Sequence, residues 1–251
     1  MNRTLILGQR ALRETLRSPD SLIPTLFIPL FFLVVNVGQA ARIFPTKATA
    51  FLHGQNYAAF QLPSSLLLAA SFGSSALFLV EEIEGGYFDK LRATPISRMS
   101  IIIGRLCSEL VKSLVLAAVM VFVALPFGVR VRGGILGFVV LIVLIALWAM
   151  VFSGFMQLLA LKTRSAAATQ GGSLVFFPLL FLTPSFVPRS LLARPMEIAA
   201  TLNPVTYIME AARSLILEGF NWAALGRGFL VVALAGSLML GLSVRMINNY
   251  D

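Results

Sequence analysis

Hydrophobic positions fall into six runs that contain no Asp, Glu, Lys or Arg, at residues 21–41, 48–80, 113–129, 133–161, 165–188 and 228–244. Each can supply a helix across a hydrocarbon core about 30 Å thick, which takes roughly 17–25 apolar residues. The pattern predicts six transmembrane helices, over about 22–40, 60–80, a third ending near Pro126, much of 135–161, about 168–187 and about 226–245. The polar segments between them are short, none much beyond about 40 residues, whereas an independent folded domain takes at least about 50. The expectation is an all-α membrane protein forming a single domain over residues 1–251.

Local signals refine the elements. Ser18-Pro19-Asp20 marks the start of the first span, and Pro24 and Pro29 inside it require neighbours that satisfy the freed carbonyls. This run is longer than the 7–15 residue core of a signal peptide, so it is expected to be retained. Ahead of it, Leu5, Ile6, Leu12 and Leu16 alternate with Arg3, Arg10, Arg13 and Arg17, the composition of a basic amphipathic helix on the inner membrane surface within residues 1–20. In the second span Ala69 and Gly73, Ala70 and Ser74, and Ser71 and Ser75 are each four apart. Such small residues permit close helix contact, or form a polar strip beside a substrate path.

The third helix begins with charge. Arg105, Glu109 and Lys112 are spaced four and then three apart, hence on one face, where Glu109 can pair with either neighbour. At the bilayer centre the three would cost roughly 7–10 kcal/mol. They are therefore expected at the inner edge, on a helix that projects into the cytoplasm before it enters the membrane. In the outer segment 189–224, Asn203-Pro204 supplies a helix cap and first-turn proline. Val205, Ile208, Ala212, Leu215 and Ile216 then recur at helical spacing, predicting an amphipathic helix at the outer interface.

Composition agrees: 58% of the residues are hydrophobic and 12% charged, against about a quarter charged in soluble domains. The net charge of +9 is spread along the flanks of the spans instead of forming one patch, so it reads as topology and not as nucleic-acid binding. With both termini inside, twelve Lys and Arg lie on the cytoplasmic side and eight outside. Cys107 has no partner for an intrachain disulfide and is expected to be a small packing residue. His53 is the single histidine, and neither a Gly-Lys pair nor an HExxH or CxxC motif occurs. This excludes an autonomous ATPase with a phosphate-binding loop and leaves no recognisable metal site. The deep spans also hold no ionisable group, which argues against proton-coupled transport and against a membrane-embedded enzyme.

The inner segment from Glu81 to Arg98 is distinctive. After Gly85-Gly86, Tyr87, Phe88 and Leu91 form an apolar ridge flanked by Asp89, Lys90 and Arg92 and stopped by Thr94-Pro95. A short helix of this kind docks into a groove on another protein, or rests on lipid headgroups. The order Glu81 or Glu82, then a glycine, Leu91, Thr94-Pro95 and Ser97-Arg98, followed by Gly104-Arg105 and later Asn203-Pro204-Val205-Thr206-Tyr207 with Ala212-Arg213, resembles the ABC-2 permeases of ABC exporters. The closer likeness is to their daunorubicin-resistance branch. The glycine pair departs from the single glycine of many relatives.

The resemblance implies an N-terminal connecting helix, a cytoplasmic coupling helix within 81–98 and outer re-entrant helices within 189–224. It implies contact with an ATP-binding subunit through Glu82, Glu84, Tyr87, Phe88, Lys90, Leu91, Arg92, Thr94 and Pro95. It assigns Arg105, Glu109 and Lys112 to the inner gate or to transmission, and Asn203, Pro204, Tyr207 and Arg213 to outer closure. No cofactor is expected on this chain, since ATP and Mg would sit on two copies of the partner. A second permease copy, identical or related, would complete the path through the lipid of the cell's inner (plasma) membrane. The cargo implied is a hydrophobic or amphipathic compound, with a lipid-linked polysaccharide or glycolipid as the alternative. A membrane-embedded enzyme and a structural or assembly protein remain as the non-transport readings.

Overall fold

The computed structural model describes residues 19–72, 76–86 and 98–248. The expected helix over residues 4–17 and the ridge from Tyr87 to Pro95 lie outside them. The described residues are helical, with no strand among them: α1 (Pro19–Ala40), α2 (Tyr57–Ser71), α3 (Ala76–Glu84), α4 (Arg98–Ala124), α5 (Gly134–Thr163), α6 (Ala166–Ser173), α7 (Phe176–Phe181), α8 (Arg194–Leu202), α9 (Pro204–Leu217) and α10 (Trp222–Asn248). Four stretches are long and apolar enough to cross a membrane: Ile23–Ala40, Ile102–Phe127, Gly134–Thr163 and Trp222–Met246. They match the expected first, third, fourth and sixth spans.

The second and fifth apolar runs are not single rods. The second comprises α2 and α3. The fifth is divided between α6 and α7, where the amides of Leu174, Val175 and Phe177 bond three residues back, to Gly171, Gly172 and Leu174. Pro178 has no amide with which to continue the α-helical ladder from Leu174, so the chain tightens there.

Helix α2 is the centre of the bundle. All fifteen of its residues are buried, enclosed by α1, α4, α5 and α9. Ala69, Ala70 and Ser71 are thus packing residues, and Trp148 of α5 donates its indole N–H to Ser71 Oγ at 3.0 Å. Helix α1 keeps Leu33 inside and leaves Ile23, Phe27, Phe31 and Val34 exposed, the one-sided stripe of a peripheral span. Cys107, expected to pack, is exposed on α4.

The expected interfacial helix is corrected more substantially. Although α9 has the periodicity of a surface helix, eleven of its fourteen residues are buried, because α2, α5 and α10 cover it. A Cβ at Gly228 of α10 would lie 2.6 Å from the Ala211 side chain and 3.2 Å from the Tyr207 carbonyl oxygen, so the glycine is what lets α10 approach α9. Gly228→Ala is expected to cost about 1–3 kcal/mol by overpacking, seen as a lower thermal-unfolding midpoint in detergent. Gly226→Ala, on the same helix with nothing within 4 Å of the added carbon, should be neutral or slightly stabilising.

Candidate functional site

The charged face of α4 turns into the bundle instead of projecting into water. Arg105, Glu109 and Lys112 are 6%, 2% and 3% exposed. Lys112 Nζ lies 2.5 Å from Glu109 Oε1, and Arg105 Nη2 donates to Glu82 Oε2 on α3. Two cations and two anions thus compensate one another where neither sign could be buried alone. Ser108 Oγ donates to the Arg105 carbonyl at 2.8 Å, fixing the turn between the pairs.

Position in the chain gives the Glu82–Arg105 pair its interest. Helix α3 ends at Glu84, where the Gly85 amide bonds the Glu81 carbonyl at 2.8 Å and Gly86 adopts φ +68°, the left-handed stop that glycine accepts without strain. The pair therefore joins the last described turns before residues 87–97 to the helix that follows them. Glu84, one turn-step further on, is exposed while Glu82 faces inward. The other expected partner contacts, Tyr87, Phe88, Lys90, Leu91, Arg92, Thr94 and Pro95, lie outside the described residues.

At the other end the loops meet around α9. Asn203 accepts from the Val205 amide at 3.0 Å, the expected cap ahead of Pro204, and donates to the Leu179 carbonyl at 2.5 Å. Tyr207 donates its hydroxyl to the Thr201 carbonyl at 2.8 Å. Arg189 lies 5.3 Å from the centre of the Tyr207 ring and 3.0 Å from Glu210. The last carbonyls of a helix lack intrahelical donors; here those of Leu215 and Ile216 accept from the Gly133 and Arg132 amides at 3.0 and 3.2 Å. Gln55 completes the junction, donating to the Ile216 carbonyl at 2.6 Å and accepting from the Arg130 amide at 3.0 Å.

Arg213 lies six residues beyond Tyr207 on α9, its guanidinium carbon 3.7 Å from the Phe60 ring centre and its Nε donating to the Phe60 carbonyl at 3.3 Å. Burial pushes this guanidinium down to about 10, against the opposing pull of Glu210 and Tyr57, so it stays charged at neutral pH. The expected outer residues thus divide between the α8–α9 joint and a contact with α2. Sequence reasoning missed Gln55, although Gln55-Asn56 just ahead of an apolar run is a capping signal, and Asn56 does accept from the Ala59 amide at 3.1 Å. No cluster of three or more His, Cys, Asp or Glu occurs among the described residues.

A third feature is aromatic. Phe177, Phe181 and Phe186 follow one another at 6.5 and 6.0 Å between ring centres. Phe72 flanks Phe177 at 5.3 Å, and Phe32 touches Phe181 and Phe186 at 6.4 and 6.3 Å. Phe181 and Phe186 remain 44% and 37% exposed, so the ridge offers ring faces to its surroundings.

Apolar crossings, a packed interior and charges paired across helices are those of a multi-pass membrane protein. The sequence profile of the ABC-2 type transporters matches residues 2–217, and the chain belongs to that family. It is 24% identical over 246 residues to the "Daunorubicin resistance ABC transporter permease protein DrrB1" of Streptomyces coeruleorubidus, covering 96% of this chain and 84% of that protein. It is 24% identical over 219 residues to the "Probable doxorubicin resistance ABC transporter permease protein DrrC" of Mycobacterium tuberculosis, covering 86% and 77%. It is also 30% identical over 217 residues to the "Putative transport permease ycf38" of Cyanophora paradoxa, covering 84% and 72%.

Removing one member of a buried pair leaves an uncompensated charge and costs about 3–5 kcal/mol. Glu82→Gln and Arg105→Gln should each lower the thermal midpoint of the purified chain markedly. The exchange Glu82→Arg with Arg105→Glu should recover much of the loss, and a sum of two full losses would show that the side chains do not interact.

Proposed function

We propose that this chain is the permease subunit of an ATP-driven exporter that moves a hydrophobic or amphipathic compound outward, energised by two copies of a separate ATP-binding subunit. The observation that carries the reading is the Glu82–Arg105 pair. A partner that grips residues 84–95 pulls on both α3 and α4, and the pair makes these two helices respond as one body. Helix α4, 27 residues long, runs about 40 Å at 1.5 Å per residue. It delivers that motion to the turn at Leu125–Phe127, where Asn56 Nδ2 donates to the Phe127 carbonyl at 2.5 Å. Next to Asn56, Gln55 donates to the Ile216 carbonyl of α9. Rigid helices and stitched ends are the usual parts of such a transmission.

In this reading α2 with α3, and α6 with α7, complete six crossings of the cell's inner (plasma) membrane, with both termini cytoplasmic. Full burial of α2 by its own chain supports a path at the surface between two permease copies rather than inside one. The aromatic ridge is a candidate wall of that path, since ring faces stack on planar apolar molecules. The same ridge also favours the second reading, export of a lipid-linked glycan. Uptake into inverted vesicles, of an apolar dye against a lipid-linked oligosaccharide, separates the two.

Coupling is tested in the complex with the ATP-binding subunit. Tyr87→Ala combined with Leu91→Ala should abolish substrate-stimulated ATP hydrolysis while leaving membrane insertion intact. Unchanged stimulation would defeat the assignment of this segment as the motor contact.

A further inference from the structure

Between the C-terminal parts of α5 and α10 lies a groove of about 770 Å³. Its walls are apolar, with Phe155 and Leu159 from α5 and Met239 and Leu242 from α10. Its mouth holds two cations, Lys162 in the last turn of α5 and Arg245 in the last turn of α10. Both are exposed, and no carboxylate is among the residues that line the groove. Each cation alone would be an ordinary complement to a helix C-terminus. Two of them, from different helices, at the open end of one apolar groove are a recognition pattern.

We infer that this groove is a binding site for an anionic phospholipid of the inner leaflet, with its phosphate between Lys162 and Arg245 and an acyl chain along the Phe155–Met239 wall. The placement rests on the inward orientation of these two helix ends in the proposed topology. Depth fits: from Phe155 to Lys162 the helix rises about 10 Å, most of one leaflet's share of a core about 30 Å thick. Lysine and arginine stems pack on apolar surface while their heads remain at headgroup level, and such cations attract anionic lipid.

Charge argues against the other occupants. Residues 1–18 carry four arginines and one glutamate, so that segment is repelled from the mouth. A second copy docked symmetrically here would set these cations against their own counterparts, since a two-fold contact brings the same patch together. A cationic amphiphile is repelled as well. The anionic lipid alone supplies both the missing charge and the apolar filling.

The test uses the full chain in nanodiscs of equal parts phosphatidylglycerol and phosphatidylcholine, with retained lipid counted by native mass spectrometry after transfer to detergent. The wild type should retain phosphatidylglycerol preferentially. Lys162→Gln with Arg245→Gln should reduce that preference about 30-fold, at about 1 kcal/mol per cation. Leu242→Trp, which fills the groove, should reduce retention of both lipids, and Arg194→Gln on the outer segment should change neither. Unchanged preference in a folded double variant overturns the proposal. So does a Leu242→Trp chain that loses its dimer but keeps its lipid, because the groove would then be a contact between copies.

Discussion

An ionised side chain inside an apolar bundle is solvated by other protein charges or not at all, and this constraint determines how α3 meets α4. Glu82 and Arg105 are both less than a tenth exposed. Each makes the burial of the other tolerable. Lys112 and Glu109 apply the same logic within α4. An ion pair at contact distance is sensitive to slides along a helix axis, because separation leaves buried charge poorly compensated. The Glu82–Arg105 pair therefore helps to hold α3 and α4 in register.

The end of the bundle around α9 is held by a different means. There, side chains donate to carbonyls of α7, α9 and the adjoining turns: Asn56 donates to Phe127, Gln55 to Ile216, Asn203 to Leu179 and Tyr57 to Phe186 at 2.8 Å. Backbone carbonyls buried without donors cost as much as a lost hydrogen bond, so these amides and hydroxyls fix the loops to the helix ends. Helix α2 starts in this network through Tyr57, and its last residue meets α5 through Ser71.

The first, third, fourth and sixth spans were legible because long apolar runs bounded by charge admit few alternatives in lipid, whereas the division of the second and fifth runs was not. The Asn203 cap and the shared face of Arg105, Glu109 and Lys112 were legible because they follow from helix geometry alone. The burial of α9 was not. Its periodic apolar positions are those of a surface helix, and only the approach of α10 at Gly228 and the enclosure by α2 cover the remaining circumference. The Glu82–Arg105 pair was hidden for a similar reason: the two residues are 23 apart in sequence, on different helices. A spacing rule reports neighbours on one element, and pairing between elements depends on how the intervening chain returns.

These two modes of attachment have unequal consequences for motion. A network of side-chain amides on backbone carbonyls is short-ranged and distributed, so losing one bond leaves the loop held by the rest. An ion pair in an apolar setting carries a steep penalty for partial separation, because water cannot step in to solvate either half. A displacement applied near residues 87–97 is then shared at once by α3 and α4, while the outer junction can yield bond by bond. Rigidity at the Glu82–Arg105 end with graded compliance around α9 is the mechanical asymmetry that the proposed motor-driven subunit needs.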